Sequence, residues 1–418
     1  MNRSGSPGNV DAAPAERFVL TLGRALHTHG TPTHRLEETL NRVCVHLGVE
    51  GQFFSQPTSI FAAFGERDRQ RTFLLRVEPG EVRLDRLAEV QAVVDAVLGG
   101  GLAPAAAEAR LEAIERGRPP YPAWLGPVAF AVSGAASSRF LGGGGREVLG
   151  AAIVGLAIGL FARAADARPA LRRVFDPVAA FVAAVIAGAL TPLLGRYSVF
   201  IATLGGLIVL LPGLTLTTAM TELASRHLAA GTARFSGAVM VFLSIGFGVA
   251  LGGTVDQLVF GLPHTGMPHA LPQWTEWAAL ALAPLALMVL LRAPRRDLPW
   301  VALAAVIAFF GGRGGAALLG PELGLFAASL TAGLASNAYA RWLHRPAAVT
   351  LVPALLMLVP GSVGFRSLAL LLQRDVVIGV EQAFRTTLML SALVAGLLVA
   401  NVLLPEFRAG RVGERHSG

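Results

Sequence analysis

Two short stretches hold most of the side chains suited to binding a small polar solute. In ATLGGLIVLLPGLTLTTAMTE (Ala202–Glu222), an apolar run reaches Pro212-Gly213, and Thr215, Thr217, Thr218 and Thr221 follow. Proline removes a backbone donor and clashes with the preceding turn, and glycine relaxes the chain. In lipid such a break is tolerated only where protein or a water-filled cavity satisfies the freed groups. The pattern therefore predicts carbonyls, N–H groups and hydroxyls at membrane depth. The second stretch, LVPALLMLVPGSVGFR (Leu351–Arg366), repeats the break at Pro360-Gly361, with Ser362 and Arg366 behind it. Paired Pro/Gly interruptions in corresponding places of two halves point to a transporter's binding site. The competing reading is a pair of proline kinks with a packing role.

The ionisable candidates are few. Glu222 follows the first break and Asp176 opens the third apolar segment. An ionisable residue in or at the mouth of a membrane pathway is a functional candidate, here for proton coupling. Each also reads as a solvated carboxylate or a helix cap. Arg366 suits a substrate carboxylate through its planar fork, or is an external loop charge. Asn337, beside Ser336, suits an amino group or a freed carbonyl, or fastens two helices. The run HTHGTPTHRLEE brings His27, His29 and His34 near Glu37 and Glu38. It invites a metal or hydrolytic reading, but its spacing matches no strong metal motif. Thr33 is instead expected to cap a helix, with Glu37 in the first turn. The single cysteine, Cys44, reads as a small buried hydrophobe. No catalytic residue, metal site or cofactor is expected.

These residues need a membrane scaffold. Of the 418 residues 53% are hydrophobic and 15% charged, with mean hydropathy +0.58. That is too apolar for an ordinary soluble protein. The net charge of +8 comes from arginine alone. The arginines sit between apolar runs, so they set topology and meet anionic headgroups rather than nucleic acid. Residues 1–16 read as a disordered tail. Residues 17–118 read as a cytoplasmic α+β domain of order ααβββαα, with strands at Val49–Phe54, Thr58–Phe64 and Thr72–Val77. Five hydrophobic segments then occupy 119–255, a Pro/Gly-rich external linker 256–273, five more segments 274–404, and a cytoplasmic tail 405–418. Placing both termini inside puts fourteen loop and tail arginines inside and seven outside, as the positive-inside rule requires. Trp124 and Trp274 open the halves 150 residues apart, and Pro212 and Pro360 lie 148 apart. Five spans per half would invert the second half. The expected fold is thus a polytopic α-helical membrane protein: ten transmembrane helices as two five-helix inverted repeats, preceded by a small soluble α+β domain.

Three stretches resemble the threonine/serine exporter (ThrE) family. They are GTPTHRLEETLNRV with PTSI at Pro57–Ile60; GGLIVLLPGLTLTTAMTEL; and SNAYARWLHRPAAVTLVPALLMLVPGSVGFRSL. The resemblance covers roughly residues 17–403. It departs at Thr218, Thr221 and Glu222, where the family commonly carries Asn, a basic residue and Asp, and at Thr31-Pro32-Thr33, where Ala-Glu-Thr is usual. It implies a secondary exporter, not an enzyme, moving L-threonine and L-serine out of a bacterial cytoplasm by antiport with protons. Read from the residues themselves, the expected substrate site uses Pro212, Gly213, Thr215, Thr217, Thr218, Asn337, Pro360, Gly361, Ser362 and Arg366. The implied partners are a small amino acid, protons and the lipid of the cytoplasmic membrane; assembly into a homo-oligomer stays open. The rival readings are a membrane-anchored hydrolase using the N-terminal domain and a passive small-solute channel.

Overall fold

The computed structural model describes residues 12–66, 68–78, 80–261, 266–358, 361–372 and 376–406. The chain is mostly helical and divides into two compact units. One comprises Met1–Pro120 with Thr218–Arg234, the other Tyr121–Thr217 with Phe235–Gly418.

The first unit contains α1 (Ala12–Thr28), α2 (Thr33–Leu47), β1 (Gly51–Gln56), β2 (Ser59–Phe64), β3 (Arg71–Arg76), α3 (Leu84–Leu98) and α4 (Pro104–Arg116). This is the expected ααβββαα order. The first helix begins at Ala12, inside the stretch predicted to be a tail. The strands form an antiparallel sheet of order β1-β2-β3, with Phe53 opposite Ala62 and Ile60 opposite Leu75. Alternation along β2 turns Ile60, Ala62 and Phe64 into the core, as a strand's two-residue period requires. There they meet Phe18 and Leu22 of α1, Leu36 and Leu40 of α2, and Val90 and Val94 of α3. Gly48 ends α2 in the left-handed region, at φ +68°. The sequence pattern does not anticipate that this unit also takes in residues 218–234, so the domain is discontinuous.

The second unit carries two similar series of helices. The first is α5 (Leu125–Phe140), α6 (Gly145–Asp166), a short α7 (Pro169–Arg173), α8 (Phe175–Ala189) with the stub α9 (Thr191–Leu194), α10 (Val199–Gly206), α11 (Gly213–Ala224) and α12 (Leu228–Phe260). The second is α13 (Trp274–Leu290), α14 (Leu298–Leu319), α15 (Pro321–Leu343), α16 (Ala348–Leu358), α17 (Gly361–Leu372) and α18 (Val376–Leu403). The stretches Thr218–Ala224 of α11 and Leu228–Arg234 of α12 belong to the first unit.

Among the described residues, six helical spans are long and apolar enough to cross a membrane, or up to seven if the bent pair α10–α11 counts as one. The pattern predicts ten. The difference lies in α5 and α13, of 16 and 17 residues, which reach only about 24–26 Å against a core of about 30 Å. It lies also in α15, where Ser, Thr, Asn and Gly dilute 23 residues. Two boundaries shift as well. The last helix of the first series runs to Phe260, into the predicted linker. The run GGRGG stays inside α14 rather than ending it. Glycine is needed there, because a Cβ on Gly315 would lie 2.7 Å from Gly324 Cα of α15. Small residues let helices approach this closely in a membrane.

Candidate functional site

The first break begins earlier than Pro212. After Gly206 the chain makes a 3-10 turn over Ile208–Leu210. Leu211 is then extended, at φ −66° and ψ 127°, the conformation a following proline imposes. The segments on either side are bent by 51°. Glycine sets how closely α10 sits on its neighbours: a Cβ on Gly205 would lie 3.0 Å from both Gly134 O of α5 and Ala151 Cβ of α6.

Pro212 and Gly213 are buried. The hydroxyls behind them do not line unwound backbone, because Gly213–Ala224 is helical again. Thr217 is buried and donates to Gly213 O at 3.1 Å, one helical turn back. Thr215 is exposed; Thr218 is half-buried and belongs to the first unit. In the second stretch, Pro360 lies outside the described residues. Gly361 is buried and Ser362 half-buried at the start of α17, and Arg366 is exposed on the same helix.

The fold brings the two Pro-Gly stretches together. Phe200 of α10 stacks on the buried Phe365 of α17, with ring centroids 6.3 Å apart and planes 25° apart. Leu214, the second residue of α11, packs against a core containing Leu355 and Leu358 of α16. The helices that precede the two Pro-Gly pairs of the sequence have matching neighbours: α10 packs on α5, α6 and α8, and α16 packs on α13, α14 and α15.

The remaining candidates separate. Asp176 sits in the first turn of α8, half-buried, and among the described residues no hydrogen bond or ion pair reaches it. Asn337 uses its amide on α18 and the residue beyond it, donating to Asn401 Oδ1 at 2.9 Å and Leu404 O at 2.8 Å.

Glu222 belongs to the first unit and is fully buried. Arg234 Nε lies 3.0 Å from each carboxylate oxygen, and Thr33 N–H donates to Oε1 at 3.0 Å. Thr33 therefore does not cap α2. Pro32 holds the cap position with no side-chain acceptor, and Glu222 supplies the missing oxygen from 189 residues away. A carboxylate at a helix N-terminus also meets the positive end of its dipole. Glu37 accepts from Ser55 N–H at 2.7 Å and pairs with His227 Nε2 at 3.3 Å.

The histidine run is dispersed. The ring of His27 bonds Pro57 O at 2.9 Å, and His29 lies 2.8 Å from a Glu115 oxygen. Burial holds both below the usual histidine range. Burial pushes His34 down to about 4, helped by Arg35 and His227. Among the described residues no group of three His, Cys, Asp or Glu is placed to hold a metal. Burial pushes the Cys44 thiol up to about 12, which suppresses the thiolate a nucleophile needs.

Residues 17–255 match the family model described as "Putative threonine/serine exporter", and residues 276–403 match "Threonine/Serine exporter, ThrE". The chain belongs to this family. It is also similar to the yeast proteins called pheromone-regulated membrane protein 10. Identity is 27% to that of Candida albicans (strain SC5314) over 86% of this chain and 33% of the relative. It is 27% to that of Kluyveromyces lactis (86% and 38%) and 26% to that of Saccharomyces cerevisiae (strain YJM789; 85% and 47%). This family member thus spans about a third to a half of the length of those relatives. No solved structure matches it. Family and helices together make it a multi-pass membrane protein.

Sequence reasoning missed the partners that fix these acids. Arg234 stands twelve residues after Glu222, across a turn made by Arg226 at φ +64°. Two further buried acids of the second unit, Glu147 and Asp297, went unnoticed because each opens or precedes a helix, where a carboxylate reads as an ordinary capping residue.

Proposed function

We propose that this protein is a secondary exporter of L-threonine and L-serine, driven by the proton motive force. The observation that carries the reading is the meeting of the two Pro-Gly stretches in one unit, through Phe200 on Phe365 and Leu214 on the α16 core. The matching neighbours of α10 and α16 support two repeats. Five spans in each would invert the second, bringing the interrupted helices to the midplane.

Backbone groups around Pro212-Gly213 and Pro360-Gly361, with Thr215, Thr217 and Ser362, would hold the amino acid's polar atoms. Arg366 would meet its carboxylate. Asp176 is the better proton carrier of the two candidate acids, because both Glu222 oxygens are already committed to Arg234 and Thr33. A half-buried carboxylate in a span, paired with none of the described residues, can change its charge without first breaking an ion pair. Asn337 is assigned to fastening α15 to α18.

The test is uptake of labelled threonine by inside-out vesicles, with and without an imposed pH gradient. Uptake should depend on the gradient and be lost in Pro212→Ala/Pro360→Ala. Asp176→Asn should abolish the gradient dependence while sparing threonine–threonine exchange. Gradient-independent uptake in the parent would overturn the coupling. Absence of threonine and serine uptake would overturn the substrate.

A further inference from the structure

Both helical series of the second unit place a buried acid where three corresponding elements meet: the start of α6 or α14, the end of α8 or α15, and the approach to α10 or α16. In the first series the acid is Glu147, 2% exposed in the first turn of α6. Its oxygens accept from Gly144 N–H at 2.9 Å and from Ser198 N–H at 2.8 Å, and Ser198 is the cap of α10. The neighbouring Tyr197 donates its hydroxyl to Ala187 O, near the end of α8. In the second series the acid is Asp297, 0% exposed at the cap position of α14. One of its oxygens takes the Tyr339 hydroxyl of α15 at 3.2 Å and the guanidinium of Arg345, three residues before α16.

The two clamps differ in what they hold. Glu147 holds main-chain amides, which leave only if the helix starts unwind. Asp297 holds a side chain that is 25% exposed and can swing away without unwinding a helix. The clamp also sits at the open end of the α14–α15 hairpin; the other end is closed by the Gly315–Gly324 contact. The loop bearing Asp297 is anchored separately, because Tyr121 OH donates to Ala293 O at 2.8 Å. The start of α16 is tied instead to the stretch after α18, through Ala347 N–H and Glu406 at 2.7 Å. Loss of the Asp297–Arg345 pair would therefore remove this polar tie at the approach to α16 and leave the start of α16 held to α14 and α15 by apolar packing. Buried ion pairs contribute little net stability but serve well as registers and switches.

We propose that Asp297–Arg345 is a releasable latch at the start of α16, opened in each transport cycle, and that Glu147 is the fixed pivot at the start of α10. The inference rests on the transport reading above. Asp297 and Arg345 are positioning residues, acting through α16.

The test uses the full chain with Cys44→Ala. In Asp297→Cys/Arg345→Cys, a short reversible thiol cross-linker should stop threonine uptake, and reductant should restore it. The same cross-link in Glu147→Cys/Ser198→Cys should leave uptake unchanged. Uptake that persists through the 297–345 cross-link would overturn the latch. If that pair is inactive before cross-linking, a second measurement decides. Val349→Cys, buried near the start of α16, should react with a permeant thiol reagent roughly tenfold faster when Asp297→Asn is added, because the latched state loses its charge-assisted bond. Equal rates would overturn the latch. A parent without threonine uptake refutes the transport reading instead, and the Val349 labelling still judges the latch.

Discussion

Replacing Arg234 should damage the first unit more than replacing its partner Glu222. The Glu222 carboxylate is 0% exposed and receives Arg234 and the Thr33 amide, each at 3.0 Å. In Arg234→Ala that charge stays buried with one donor left, a loss of about 3–5 kcal/mol. In Glu222→Ala the guanidinium, already 16% exposed, can turn to water. What remains is the loss of the acceptor at the start of α2, about 1 kcal/mol, and of the pair itself, together about 1–3 kcal/mol. Glu222→Gln keeps an acceptor for Thr33 and should cost about 1–2 kcal/mol. Hydrogen exchange at the amides of Thr33–Glu37, followed in nanodiscs, reads these differences locally. At about 1.4 kcal/mol per decade, exchange should quicken by roughly two to three and a half decades in Arg234→Ala and one to two in Glu222→Ala. The reverse order, or unchanged exchange in both, would refute the claim that Glu222 completes the start of α2.

Three further outcomes are expected. His34 titrates near 4 in the folded unit against 6.5 unfolded, so the unfolded chain binds the extra proton. Stability should fall as pH drops from about 6.5 to 4, by up to about 3 kcal/mol, and His34→Gln should flatten that slope in denaturation curves taken across this range. Gly134→Val should lower the melting temperature of the purified protein. A Cβ there would lie 2.6 Å from Ala151 O, and such overpacking costs about 1–3 kcal/mol. Cys44, buried with its thiol pushed up to about 12, should resist maleimide at pH 7 until the protein is denatured, as mass spectrometry would show.

Local chemistry made part of this protein legible in its sequence. The ααβββαα order follows from periodicity and from glycines such as Gly48, which act within a few residues. The Pro212-Gly213 interruption was visible for the same reason, since proline constrains its own neighbours wherever the chain goes. Its onset at Gly206 was not, because the 3-10 turn lies inside a continuous apolar run. The GGRGG stretch misled the local reading: glycine is a poor helix former by propensity, yet Gly315 is required once Gly324 faces it. The threonines were placed correctly in order but not in conformation, since helix resumes at Gly213.

Partnership was left to tertiary structure. The turn at Arg226 carries Arg234 back to Glu222, and the fold sets Thr33 against that carboxylate across 189 residues. Asp297 and Arg345 are 48 residues apart, and neither is apolar enough to mark a core nor spaced to mark a motif. A charge's role depends on which opposite charge burial forces against it, and that pairing is a property of three-dimensional packing. Sequence position set Asp176 and Asp297 at helix starts and Glu222 near a helix end; the fold determined that Glu222 is locked, Asp176 unpartnered among the described residues, and Asp297 held by a side chain that can let go.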